Sequence, residues 1–164
     1  NGTWSIRGSL DSGQDYVMVN GAVVAATGDT ISGSSTERYA DDIFSATFFL
    51  NITNGNGDYL VGGVTDTADV DANAVIMLNG DLEVLREGDA VDLDGDGIFN
   101  DGVYIHIFHN DDIVLTDSLT LYALVSLRDD TGAEIGEAMI TKVVPAPGAL
   151  ALIGLGIAAT RRRR

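Results

Sequence analysis

There is no cysteine in this chain, which excludes a disulfide framework and any thiolate metal site. Proline occurs only twice, at Pro145 and Pro147, and lysine once, at Lys142. Helical periodicity is nearly missing from residues 1–143, and no long apolar run appears before Gly148. There is no G-x-S-x-G elbow and no Ser with a placed His–Asp partner, so nucleophilic catalysis has no visible constellation. The glycines punctuate hairpins and do not open a helix after a strand, which removes the phosphate-binding loop. An initiator Met is also lacking, and no leader peptide is expected within the chain. The chain opens on Asn1-Gly2-Thr3-Trp4, as expected for a processed or excerpted chain.

Bases are scarce as well. The 164 residues hold 25 acids and 9 bases. Four of those bases form the terminal Arg161–Arg164 run, so residues 1–160 keep five bases against 25 acids, a net of about −20. Such a surface repels nucleic acid and anionic lipid, and it suits a secreted protein or one that binds divalent cations. The length is that of one domain with a real core.

What is present is alternation punctuated by turns. Tyr16–Val19, Asn20-Gly21 and Ala22–Ala25 read as a hairpin closed by a type I′ turn, whose two positive-φ positions suit Asn-Gly. The device returns at Ala74–Leu78, Asn79-Gly80 and Asp81–Leu85, and each hairpin ends on Gly-Asp, at Gly28-Asp29 and Gly88-Asp89. Asn1–Gly8 matches Asn56–Gly63. The spacings Asn1 to Asn56, Gly21 to Gly80 and Gly28 to Gly88 define an internal repeat of roughly 55–60 residues. A third copy is blurred. Val103–Phe108 matches Thr47–Ile52, Ser118–Val125 matches the strand around Tyr59, and Glu137–Val143 supplies a last strand. The expected fold is all-β: an antiparallel β-repeat of propeller-blade type, with a β-sandwich as the alternative. Its units cover about 1–43, 44–101 and 102–143, and a short apolar C-terminal helix follows in 144–164.

The sharpest chemical feature is Asp92-Leu93-Asp94-Gly95-Asp96-Gly97, continuing through Asn100 and Asp101. Alternating carboxylates before a glycine are how a short loop wraps oxygen ligands around Ca²⁺. Asp92, Asp94 and Asp96 fit positions 1, 3 and 5 of the EF-hand pattern and Gly97 fits position 6, but position 12 is Val103, where that pattern needs a bidentate Glu. Asp101, or Asn100, is the substitute in a loop of different exit. Three carboxylates in five residues repel one another unless a cation neutralises them, and a solvated acidic turn is the bland alternative.

The other acids, Asp41-Asp42, Asp66/Asp69/Asp71, Asp111-Asp112 and Asp129-Asp130, are expected in inter-strand loops. His106 and His109, three apart on a strand, face opposite sides and form no chelating pair. Trp4 and Tyr59 hold equivalent repeat positions, where core packing is the expectation.

The last 21 residues differ from everything before them. Val144-Pro145-Ala146-Pro147 leads into thirteen uncharged residues, Gly148–Thr160, and then Arg161, Arg162, Arg163 and Arg164. Thirteen residues fall short of the roughly 20 that span hydrocarbon, and the arginines fit a cytoplasmic C-terminus. This order of short proline motif, short Gly/Ala/Leu helix and terminal Arg cluster resembles the PEP-CTERM sorting signal, with Ala146 where that motif carries Glu. The resemblance implies export in a Gram-negative-type bacterium, transient anchoring in the inner membrane, cleavage near Val144–Pro147 by an exosortase, and release to the cell surface or a biofilm matrix.

Together these observations predict a non-enzymatic surface or matrix protein, stiffened by Ca²⁺ at Asp92, Asp94, Asp96 and Asp101. Its partners would be the exosortase, the inner membrane and exopolysaccharide, with no nucleic acid. A secreted carbohydrate-binding module presenting Trp4, Tyr16, Tyr59 or Tyr104 is the alternative.

Overall fold

The computed structural model describes residues 2–31, 36–40 and 46–144. These form ten strands and no helix: β1 (Ser5–Ser9), β2 (Asp15–Val19), β3 (Ala22–Ala26), β4 (Phe48–Thr53), β5 (Tyr59–Val64), β6 (Ala74–Leu78), β7 (Leu82–Arg86), β8 (Val103–Leu115), β9 (Thr120–Asp129) and β10 (Glu134–Val143). The all-β expectation is borne out, and the helix expected in the tail lies outside the described residues. The strands make three antiparallel meanders, β1-β2-β3, β4-β5-β6-β7 and β10-β9-β8, here sheets 1, 2 and 3. Each corresponds to one of the stretches 1–43, 44–101 and 102–143.

Both Asn-Gly turns fold as their chemistry dictates. Asn20 and Gly21 take φ of 50° and 87°, and Asn79 and Gly80 take 53° and 80°, the positive pair a type I′ turn requires. Asn20 and Asn79 also make the same bonds. The Asn20 side-chain oxygen accepts from Trp4 N–H at 3.1 Å, and that of Asn79 from Tyr59 N–H at 2.9 Å. The equivalence continues past the turns. Gly28 N–H donates to Tyr39 O and Gly88 N–H to Ile105 O, both at 2.8 Å. Both β2–β3 and β6–β7 shift register at the same step, Val17/Met18 and Ile76/Met77. Sheet 3 shares the first hairpin of sheet 2: Asn54 N–H to Asp58 O (2.9 Å) recurs as Thr116 N–H to Thr120 O (3.0 Å).

The sheets stack face to face with sheet 2 in the middle. Val17 and Ala25 of sheet 1, with Ile31, pack against Phe48, Val61, Val75 and Met77 on one face of sheet 2. Leu60, Ile76, Leu78 and Leu85 on its other face pack against Ile105, Phe108, Leu121 and Val125 of sheet 3. A strand buried on both faces has no polar side to present, which explains the unbroken apolar runs of β5 and β6. Gly62 and Gly63 sit at the centre of this layer. A methyl at Gly62 would fall 2.5 Å from the Phe49 ring, and at Gly63 2.8 Å from Tyr39. Each missing side chain seats an aromatic, Tyr39 edge-on to Phe48 (4.8 Å) and Phe49 stacked on Phe108 (5.9 Å).

Trp4 departs from the expected core position. It is 47% exposed because, among the described residues, no sheet lies beyond its face of sheet 1. Tyr59, its equivalent, lies on the face of sheet 2 that sheet 1 covers and packs against that core. Asp111 and Asp112 also differ from expectation, since they fall within β8 at a register break and not in a loop.

Candidate cation loop and the adjoining cleft

The acidic loop joins sheet 2 to sheet 3, and the core holds both of its ends. Val91 and Val103 are buried, and Val91 N–H donates to Val103 O at 2.9 Å. Val103 is therefore a core residue, and its side chain cannot serve as the twelfth-position ligand of an EF-hand.

Between these anchors the aspartates organise the backbone. The two Asp92 oxygens accept from Gly95 N–H and Gly97 N–H, each at 2.8 Å. Asp94 Oδ1 accepts from Asp96 N–H at 3.1 Å, and Asp96 Oδ1 from Ile98 N–H at 2.7 Å. Asp101 reaches back across the loop, its Oδ2 accepting from Leu93 N–H at 2.6 Å and Asp94 N–H at 3.3 Å. Asp92, Asp94 and Asp101 thus converge, with one carboxylate oxygen of each within 4.8 Å of the others. Asp96 is not one of the three. It is exposed, as is Asp94, whereas Asp92 and Asp101 are half-buried.

Calcium takes six to eight oxygens at about 2.3–2.6 Å, so oxygens on one Ca²⁺ sphere lie at most about 5 Å apart. The three convergent oxygens meet that limit, and their all-oxygen chemistry suits a hard cation. Accepting one N–H leaves each of the Asp92 oxygens and Asp94 Oδ1 a lone pair for a metal, and Asp101, whose Oδ2 accepts two, offers its Oδ1. Water and main-chain carbonyls would complete the shell.

Beside the loop a cleft of about 520 Å³ opens between the edges β7 and β10, lined by residues including Asp89, Asp92, Phe99, Met139 and Lys142. Lys142 does not point freely into it, because its Nζ donates to Val84 O at 2.6 Å. The lining contains neither histidine nor serine. His106 and His109 sit on β8 away from it. His109 Nε2 lies 3.2 Å from Ser126 Oγ and 3.5 Å from Glu137.

Two charged groups that sequence reasoning missed lie near the sheet junctions. Arg86 bonds both oxygens of Glu37 (2.9 and 3.1 Å), both of Glu83 and the carbonyl of Ala72. Burial alone would raise Glu37, but its bonds to Arg86 and Thr65 outweigh this and hold it below the ordinary carboxylate range. Glu87 has the opposite fate: burial, with help from Asp71 and Asp69, pushes its carboxyl up to about 7. Neither was legible, since Glu37 and Arg86 are 49 residues apart and no local pattern marks such a pair.

Of the sorting motif, only Val144 is described. It is buried in the core shared by sheets 2 and 3, and its N–H donates to Leu119 O at 2.9 Å. Pro145, Ala146, Pro147 and Arg161–Arg164 lie outside the described residues. Among the described residues no helix is long and apolar enough to cross a membrane. No protein-family model, curated protein or solved structure matches this chain.

Proposed function

We propose that this chain is an exported, non-enzymatic surface or matrix protein whose C-terminal segment is a PEP-CTERM-type address, removed by an exosortase. The observation that carries the reading is that the tail motif begins on a core residue. Val144 is the last of the described residues, it is buried between sheets 2 and 3, and its N–H donates to Leu119 O. Cleavage after Val144 would leave every described core residue in the body, and the apolar segment with its arginines would serve as a transient inner-membrane anchor.

In this reading the three sheets are copies of one propeller-blade-type unit. The recurrence of the turn, bulge and end-of-hairpin bonds supports the repeat. A middle sheet covered on both faces favours a blade-like stack over a two-sheet sandwich. Asp92, Asp94 and Asp101 would bind Ca²⁺, with Asp96 shaping the loop, and the ion would tie the junction of sheets 2 and 3 against the repulsion of its own acids.

The aromatics named for a carbohydrate-binding module are divided: Trp4 and Tyr16 lie at sheet 1, Tyr59 packs against the core between sheets 1 and 2, and Tyr104 lies in sheet 3 under Arg128 at 5.3 Å. Matrix association, including contact with exopolysaccharide, is the role proposed here. Expression in a host carrying an exosortase tests the address. Intact mass of the released protein should show a C-terminus shortly after Val144, and a released chain that still carries Arg161–Arg164 would refute the processing.

A further inference from the structure

The two outward faces of the stack are the two halves of the interface already used inside it. On sheet 1 the outward residues are Ile6, Tyr16, Met18 and Val23. The registers Ile6↔Met18 and Met18↔Val23 correspond to Val61↔Met77 and Met77↔Glu83 in sheet 2. Ile6, Tyr16 and Met18 therefore stand where Val61, Val75 and Met77 stand. The latter three are at most 1% exposed because sheet 1 covers them, while Ile6 is 46% exposed. No charged side chain belongs to the outward set on sheet 1.

Sheet 3 shows the complementary half. Its outward residues include Val114, Tyr122, Leu124, Met139 and Thr141, paired as Val114↔Tyr122, Tyr122↔Thr141 and Leu124↔Met139, with Glu137 beside His109 at the far end of the same face. The same ladder in sheet 2 reads Ile52↔Leu60, Leu60↔Leu78 and Gly62↔Ile76. Leu60, Ile76 and Leu78 are buried because sheet 3 covers them, whereas Tyr122 is 41% and Met139 55% exposed. In the middle of the stack, a face of the first kind meets a neighbour before it and a face of the second kind meets a neighbour after it. At the ends, one of each is left open among the described residues.

We propose that these faces bind each other between molecules: the outer face of sheet 3 docks on the outer face of sheet 1 of a second copy, head to tail. The two faces differ, so the contact is heterologous and does not close on a dimer. Successive copies would continue the alternation of sheets already present within one chain. The inference rests on the repeat reading above, and on neither the tail nor calcium. The chain's excess of acid opposes association at long range, so added salt should strengthen it.

Sedimentation velocity on the full chain tests this with two variants, Met18→Asp on sheet 1 and Tyr122→Asp on sheet 3. Ser12→Asp in the exposed β1–β2 turn controls for charge. The wild type and Ser12→Asp should show mass that rises with concentration and with salt. Each face variant alone should associate at least about tenfold more weakly, as expected for a residue central to an interface. The two face variants mixed should form a 1:1 dimer and nothing larger, because each supplies the face the other lacks. A wild type that stays monomeric up to about 1 mM, the weak end of specific association, overturns the proposal. So does association that survives in both variants, as an apolar tail would produce. Melting in dilute solution separates the two levels. Unchanged melting temperatures with no association would remove the docking and leave the repeat standing. A large fall for Met18→Asp in the dilute monomer would mean that face is already covered, and the repeat reading would fail with it.

Discussion

Sheets 1 and 2 share turns, bulges and end-of-hairpin bonds, yet the same positions are exposed in one and sealed in the other. Ile6 and Val61 occupy one place in the pattern, at 46% and 1% exposure. The difference comes from what lies beyond the sheet and owes little to its own backbone. Local chemistry builds the unit, and the neighbour decides which of its faces becomes core.

The sharpest way to break this comparison is to put a charge at the shared position. Val61→Asp should cost about 3–5 kcal/mol, the penalty of an unpaired buried charge. Ile6→Asp should stay within about 0.5 kcal/mol, as surface changes do. Paired urea titrations measure both, and equal costs would dissolve the distinction.

Glycines sharpen it at finer scale. Gly8 and Gly63 are equivalent, but a Cβ on Gly63 would meet Tyr39 at 2.8 Å and Phe48 at 3.1 Å inside the stack. On Gly8 it would meet only the hydroxyl end of Tyr16, at 3.1 Å on the open face. Gly63→Ala should therefore destabilise by about 1–3 kcal/mol through overpacking, and Gly8→Ala by distinctly less.

A third test compares the hairpin ends, where Glu87 of sheet 2 stands in the place of Thr27 of sheet 1. Glu87 N–H donates to Ala74 O and Thr27 N–H to Asp15 O, both at 2.9 Å. Burial raises the folded carboxyl to about 7, above its unfolded value of 4.5. Its favourable contribution is then full below about pH 4.5, and it is lost as pH rises through about 7, because the folded state binds the extra proton. Glu87→Gln should flatten that fall and raise stability at pH 8 by about 1–3 kcal/mol, as read from denaturant midpoints across pH.

The smallest effect belongs to the loop that joins the covered sheets. Saturating Ca²⁺ should raise the melting temperature of the chain by a few degrees, the size of a roughly 1–2 kcal/mol ligand effect. Asp94→Ala should abolish the rise and Asp96→Ala should only weaken it, since Asp96 lies outside the convergent set. A full rise in Asp94→Ala would remove the site.

Much of this was legible in the sequence wherever the governing interaction is local. Asn20-Gly21 and Asn79-Gly80 announce their turns because few residue pairs accept two positive φ angles, and their spacing, with that of Gly28 and Gly88, reveals the unit. Asp101 could be named as a substitute ligand because it is only nine residues from Asp92. What stayed hidden depends on distance or on neighbours. Trp4 and Tyr59 are alike in pattern, and only the stack separates their exposure. The Glu37–Arg86 pair joins residues 49 positions apart. Asp111 and Asp112 read as loop acids, but the register break in β8 places them in a strand.

In the proposed reading one unit is present three times, and its stability is graded by how many faces its neighbours cover. Native-state hydrogen exchange reads that gradient bond by bond. The ladder amides of β5 and β6 should exchange slowest, near the limit of global unfolding. Their counterparts in β1–β2 and β9–β10 should be protected by the same bonds but exchange faster, through local opening of the outer sheets. Outer-sheet amides as unprotected as the turns, or β5–β6 amides faster than their outer counterparts, would contradict it.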